Sequence, residues 1–343
     1  IQPPPPPTTT LRSTRRQRQM CIRDSDLPVF EVESPMPITL DNTYATPTPV
    51  VEEGRVYVHY GTYGTACLNT RSGEMIWSRR DLNCDHEAGA GPASSPILAG
   101  DLLVFHVDGR DVQYVVALHK ATGETAWKSE RSADFDKVPV NQRKAYCMPT
   151  LIPRGDGEQL ISVGAKALYS YNPASGEELW KVRHRGWSVF PKPVYGGGLV
   201  FATIDRDRPE LWAIRPDGSG DVSESHVVWK KTRRMPQRVS PLLIEGLLFT
   251  MDRSGYLSCL EAKSGEEIWQ HRLSGKFSAA PIYAQGRIYL FSEEAECTVI
   301  RPARDFEILA TSSLGESQQV MASPAVDGDA LYIRTAEHLY RIE

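Results

Sequence analysis

The chain has 343 residues, 41% of them hydrophobic, with 39 Lys and Arg against 43 Asp and Glu. That is enough apolar material for a sizeable core, and the slightly acidic balance argues against a polyanion-binding protein. No apolar run approaches the roughly 20 residues that cross a bilayer as a helix, so no membrane span is expected.

Ile1 to Thr10 is a Pro/Thr low-complexity run, and residues 15–25 read RRQRQMCIRDS. These eleven residues resemble, residue for residue, the translation of a transposase-type sequencing adaptor. Residues 1–25 are therefore expected to be an artefactual or disordered tail, and its arginines say nothing about nucleic acid. Without the tail, the chain carries 34 basic and 42 acidic side chains, a more acidic body.

From Pro49 onward one unit recurs. A Pro opens its first strand at 49, 96, 149, 193, 241, 281 and 324, at intervals of 47, 53, 44, 48, 40 and 43 residues. A Gly-Glu turn precedes the fourth strand at Gly73, Gly123, Gly176 and Gly265, and a Trp follows four residues later at 77, 127, 180 and 269. Trp229 holds this place after an inserted turn, Pro216 to Gly220, and Ile308 or Leu309 takes it in the sixth unit. The clearest copy, 238–269, reads as four short apolar runs separated by Gly-bearing turns, a four-stranded antiparallel meander. One such sheet cannot bury both of its faces, whereas a ring of copies can. The fold class expected is all-β, a β-propeller with seven visible repeats at about 44–80, 91–130, 145–184, 189–232, 238–273, 277–312 and 320–343.

Each recurring residue has a structural reason. The turn Gly supplies the positive φ of a four-residue hairpin loop. The Trp is expected to cover a neighbouring blade. Cys67, Ala117, Ser170 and Cys259 lie six residues before the Gly, at a third-strand position that takes only small side chains; Cys297 is read the same way.

These units resemble the bacterial PQQ-like, or quinoprotein-type, β-propeller repeat, carried here by Ala93-Ser94-Ser95-Pro96-Ile97, Val116-Ala117-Leu118 and Thr122-Gly123-Glu124-Thr125-Ala126-Trp127. The resemblance covers about 26–343. It is strongest to uncharacterised exported PQQ-binding-like propellers and more distant to an outer-membrane assembly lipoprotein. It implies a periplasmic or secreted location. Phe30 precedes Pro49 by 19 residues, as Trp77 precedes Pro96, so 26–33 is expected to be an orphan outer strand. That strand either closes a seven-membered ring or belongs to a truncated first blade; the length typical of the resembling proteins favours eight blades in the native ring.

In a meander wound around an axis, the blade-to-blade loops and the loops between second and third strands share one face, where a site is expected. Blade-to-blade loops offer Cys84-Asp85-His86, Arg143, Lys144, Tyr146, Arg185, Trp187, Arg233, Arg234 and Arg238; the other loops offer Asp108, Lys166 and Asp252. Cys84 and His86 have the chemistry of a metal-ligand or nucleophile pair, against which stands a plain packed loop with no further ligand nearby. Pairing of Cys84 with Cys147 is conceivable in an exported protein. The basic residues suit an anion if they converge, and solvated loop charges if they do not. Tyr146 and Trp187 offer stacking surfaces or loop anchors.

The expectation is a non-catalytic binding or assembly-scaffold propeller, a monomer that recognises a protein, peptide or glycan, with no nucleic-acid partner. The alternative is a quinoprotein dehydrogenase, whose resemblance implies PQQ and calcium held with a vicinal Cys pair and a Glu/Asn/Asp set. No two cysteines are adjacent here and no acid-rich loop offers a calcium site, so no cofactor or metal is expected. A hydrolase using His86 or Tyr146 as base has no motif behind it.

Overall fold

The computed structural model describes residues 27–39, 42–86, 91, 93–315 and 318–343. The tail 1–25 and its adaptor-like run lie outside them, as would any first blade before residue 26.

Every expected Pro is followed at once, or within one residue, by a first strand: Val50–Glu52, Ile97–Ala99, Thr150–Arg154, Val194–Gly196, Leu242–Ile244, Ile282–Ala284 and Ala325–Asp327. Each of these starts an antiparallel meander, giving seven blades. Six contain the four strands of the repeat, and the seventh contains Ala325–Asp327, Ala330–Arg334 and Leu339–Ile342. The only helices among the described residues are two 3-10 turns, Gly61–Tyr63 and Val140–Gln142. No helix there is long and apolar enough to cross a membrane.

Apolar residues of consecutive blades form one core at each of six interfaces. Tyr57, Cys67 and Trp77 of blade 1 pack with Phe105, Val116 and Leu118 of blade 2, and the pattern repeats through to Phe291, Ile333 and Val320 between blades 6 and 7. The second and third strands carry most of this burial. In blade 2 all seven residues of Leu102–Asp108 are buried.

The register explains the small third-strand residues. Cys67, Ala117, Ser170 and Cys259 are fully buried and lie opposite Trp77, Trp127, Trp180 and Trp269. A bulge follows each pair, where the Gly turn feeds one extra residue into the outer strand. In blade 6 the turn is one residue longer, so Ala310 rather than Ile308 or Leu309 faces the third strand, at Val299. Ile308 and Leu309 are exposed instead.

The Trp and the Gly turn form a single device. Trp77 Nε1–H donates to the Lys120 carbonyl in the turn of the next blade at 2.8 Å, and Trp127, Trp229 and Trp269 do the same to Pro173, Ala262 and Ala303. The indole lies on the Gly itself: a Cβ on Gly123 would stand 2.6 Å from the Trp77 ring, at φ +74. Gly is thus required twice, for backbone conformation and for space. Gly123→Ala is expected to cost roughly 1–3 kcal/mol more than Gly100→Ala. Gly100 has φ +56 but nothing within 4 Å of the added methyl, so it reports backbone strain alone. Urea midpoints measure the difference, and equal losses would show that the indole contact contributes nothing.

Trp180 breaks the pattern. It is completely buried and donates to Gln159 Oε1 at 2.8 Å. The inserted turn of blade 4 reaches back over blade 3, and its Gly220–Asp221 strand pairs parallel with Trp180 and Lys181. Gln159 and Arg154 bind the Pro216 carbonyl and hold this strap down.

Residues 27–33 form no strand. The orphan-strand expectation is corrected to a coil anchored on blade 1: the Phe30 ring meets Tyr60 edge-on at 6.0 Å, and the Arg80 guanidinium lies 5.5 Å from its centroid. Ring contacts with blade 1 replace ladder pairing there.

Candidate functional site

The two loop classes share one face and hydrogen-bond to each other. The Arg110 amide donates to Asp85, Lys166 to Gly186, Arg206 to Trp187, Phe277 to Arg253 and Glu293 to Lys276, all at 2.7–3.1 Å. This face carries the residues singled out from sequence, but it separates them into three neighbourhoods.

The first is a buried polar corner of blades 1 to 3. Cys84, His86, Asp108, Lys144 and Tyr146 are all less than 10% exposed. Their side chains are packed inside the fold rather than standing exposed on the loop face. Cys84 Sγ lies 3.6 Å from His86 Nε2, and no group of three His, Cys, Asp or Glu among the described residues has the geometry to hold a metal. Burial pushes the Cys84 thiol up, so it stays protonated and is a poor nucleophile. Burial, with the Lys144 charge, lowers His86 to about 4; its Nε2 accepts from the Thr62 amide. Cys147 is free as well as buried, its thiol raised to about 12 by burial and bonded to the Val163 carbonyl, so the conceivable Cys84–Cys147 disulfide is not formed. The Tyr146 ring stacks on Phe190 at 5.2 Å as a loop anchor. Asp85 is half-buried, and its amide donates to Asp111 Oδ1.

Asp108, expected as a ligand residue, belongs to an internal network that the sequence reading missed. Arg131 Nε and NH2 donate to its two carboxylate oxygens at 3.2 and 2.7 Å, with both side chains 1% exposed. Arg131 NH1 also donates to Ser162 Oγ, which lies 2.8 Å from His106 Nε2 on its other side. His106 Nδ1 faces Asp108 Oδ2 at 4.0 Å, beyond hydrogen-bonding distance. The order of residues matches a Ser-His-Asp relay, but the chemistry does not. Ser162 is fully buried, so no substrate reaches its hydroxyl. The signal available in sequence was His106-Val107-Asp108, two polar residues on the same face of a strand. The enclosed cavity against this corner, lined by His59, Cys84, His86, His106, Asp108 and Tyr146, measures about 20 Å³. It has room for one water and none for an organic substrate.

The second neighbourhood, between blades 3 and 4, is a groove of about 350 Å³ lined by Arg185, Asp205, Glu210, Trp212 and Lys230. Arg185 is exposed and paired with Glu210 at 2.9 Å; Lys166 Nζ, its charge disfavoured by burial, donates to the Arg185 carbonyl. Trp187 is half-buried, with the Arg206 guanidinium 5.8 Å from its centroid.

The third is a groove of about 540 Å³ where loops of blades 4, 5 and 6 meet, lined by Arg234, Met235, Gln237, Asp252, Arg253 and Lys276 among others. Arg233 is exposed in the same loop, and Arg238 is half-buried. Asp252, expected as a ligand, instead organises its own turn: Oδ1 accepts from the Ser254 amide and hydroxyl at 2.9 Å and from the Tyr256 amide at 3.0 Å. Arg143 Nε is likewise spent on the Val138 carbonyl. The seven basic residues therefore form no single cluster, because loops from different blades occupy different sectors of the ring. Lys276, absent from the expected set, is brought to the third groove by the loop between blades 5 and 6.

A family model described as "Outer membrane protein assembly factor BamB" matches residues 39–129 and 221–339. The BamB of Legionella pneumophila strain Paris is 26% identical over 213 residues, 58% of this chain and 48% of that protein. That of Alkalilimnicola ehrlichii is 25% identical over 218 residues, covering 62% and 52%. The chain thus spans about half the length of these curated relatives. Among solved structures, BamB from Moraxella catarrhalis superposes with a TM-score of 0.62 at 11% identity, covering 86% of this chain and 81% of that one. A europium-containing methanol dehydrogenase superposes at 0.64 with 10% identity, covering 87% and 75%. At such identities the superpositions show a shared propeller fold and do not choose between a scaffold and an enzyme.

Proposed function

The chain belongs to the family described as outer membrane protein assembly factor BamB, and from that premise we propose that it is a non-catalytic scaffold that holds protein segments on its loop face. One observation carries this reading. That face holds open grooves of about 540 and 350 Å³, while the cavity beside its titratable corner holds about 20 Å³. Open grooves walled by several loops suit an extended partner; a chemical step on a small molecule wants an enclosed, water-excluding site.

The quinone alternative has less support. The five described cysteines are free, buried and nowhere adjacent, and no set of three acidic, His or Cys ligands converges among the described residues. The proposed place of action is the bacterial periplasm or exterior, as a monomer; a glycan partner is the secondary reading, weakened because Tyr146 is buried and stacked on Phe190 and the Arg206 guanidinium lies over the Trp187 ring.

Photo-crosslinking tests the reading. A benzoylphenylalanine at Arg185 or Thr232, on the loop face, is expected to capture protein from solubilised bacterial envelope, whereas one at Arg71 or Ser264, in the opposite turns, is not. Equal capture on both faces would overturn it. So would a saturable stabilisation by PQQ with Ca²⁺ accompanied by alcohol- or sugar-dependent dye reduction.

A further inference from the structure

We propose that the groove between blades 4, 5 and 6 is the docking site for an acidic, extended segment of the partner protein. This rests on the scaffold reading and gives it a sector of the ring and a chemistry.

The first argument is charge. The lining carries Arg234, Arg253 and Lys276 against one acid, Asp252, on a chain that is otherwise acidic. Asp252 does little to neutralise them, because its Oδ1 is committed to the Ser254 and Tyr256 amides. Glu293 pairs with Arg253 at 3.3 Å and also accepts from Ser278. Glu294 accepts from the Lys276 backbone amide rather than from its ammonium. Among the described residues the Lys276 ammonium has no acidic partner, and Arg234 is held only by neutral groups. Two cations therefore face the groove without a counter-charge among the described residues. Arg233, exposed in the adjoining loop, extends the field.

The second argument is preorganisation. Arg234 sits at φ 55, a left-handed conformation uncommon for a side chain of its size. Its guanidinium lies 3.6 Å from the Tyr256 ring centroid, and NH1 donates to Gln270 Oε1. An arginine fixed in this way loses little freedom on meeting a carboxylate, so more of the interaction reaches affinity.

Shape favours a peptide over a small anion. The cations stand on three separate loops: the connection from blade 4 to 5, the Asp252–Gly255 turn, and the connection from blade 5 to 6. An extended chain with several carboxylates can meet charges spread in this way, whereas a single phosphate engages only one of the loops closely. Pro209, half-buried at the rim, adds apolar contact for the stems of acidic side chains.

The test is fluorescence anisotropy with a fluorescein-labelled octaglutamate peptide and the whole chain. Saturable binding that weakens with salt is expected, with Lys276→Glu and Arg234→Gln each reducing affinity about tenfold. Lys263→Glu, an equal charge change on the opposite turns, is expected to leave affinity unchanged. Melting temperatures keep a misfolded Arg234 variant from being counted, and Lys276→Glu touches no contact of the fold beyond its backbone. Absent binding, or equal weakening by Lys263→Glu, would overturn the proposal, and so would displacement by inorganic phosphate as complete as by unlabelled peptide. Any of these results alongside retained loop-face cross-links would sink the acidic-segment inference alone and leave the scaffold reading standing.

Discussion

Taking the protein from pH 7 to pH 5 is expected to remove on the order of 6 kcal/mol of stability, most of what a domain of this kind has in reserve. The cause is a set of histidines folded in their neutral form. Burial lowers His59 to about 3, with His86 adding to the effect; burial and Lys144 lower His86 to about 4; burial and Lys166 lower His184 to about 3. Hydrogen bonding agrees: the Gly186 amide donates to His184 Nδ1 and the Thr62 amide approaches His86 Nε2, so those nitrogens must keep their lone pairs. An unfolded histidine titrates near 6.5. Between that value and the folded one, the unfolded state binds more protons, so stability is complete above about pH 7 and falls as the pH drops through the window. At pH 5 each of the three contributes about 2 kcal/mol to the loss. His106, also pushed down by burial, acts in the same direction. Asp108, raised by burial, acts in the opposite direction over its own range. Urea midpoints at pH 7 and pH 5 measure the effect. His184→Gln keeps an acceptor for the Gly186 amide but cannot titrate, and it should flatten the slope by about a third. A midpoint independent of pH over this range would show that the histidines are not held neutral.

The architecture was legible because it is written locally and repeatedly. The Pro, the Gly-Glu turn and the Trp mark the same three points of every regular blade, and all seven first strands begin where the Pro positions placed them. Departures came where one blade broke the spacing. The longer turn of blade 6 shifted the Trp-equivalent place to Ala310, and the insertion in blade 4 became a strap over Trp180. The face that carries the candidate site was also legible, since meander geometry assigns it. What lies together on that face was not. Position around a ring depends on tertiary packing, so Arg143, Arg185 and Arg234 look like one basic set in sequence and stand in different sectors in space. Lys144 looked like a solvated loop charge and is 4% exposed. The buried network was hidden for a related reason: His106 and Ser162 come from strands of two blades, Arg131 from the loop after the outer strand of the first, and they meet only when the blades dock.

Replacing Asp108 by Asn is expected to cost about 3–5 kcal/mol, as breaking one side of a buried ion pair generally does. The substitution keeps the shape and removes the charge that holds Arg131. Burial works against the Arg131 charge, but the Asp108 carboxylate outweighs it and keeps the guanidinium ionised. With Asn at 108, that charge stays in the core, 5.0 Å from the Tyr169 ring centroid and bonded only to neutral groups. The guanidinium bridges blade 2 to Ser162 of blade 3, so the loss should appear as weakened docking between those blades as well as a lower urea midpoint. The double substitution Asp108→Leu with Arg131→Met removes both charges and should recover most of the difference, because the cost lies in the orphaned charge rather than in the lost pair. If single and double variants lose equally, the pair is a net stabiliser. A loss under about 1 kcal/mol for Asp108→Asn would instead place the carboxylate in water and return it to the loop face as a ligand group. Octaglutamate binding separates these roles. A structural Asp108 leaves affinity at the blade 4 to 6 groove unchanged in every variant that folds, because the network it serves lies two blades away.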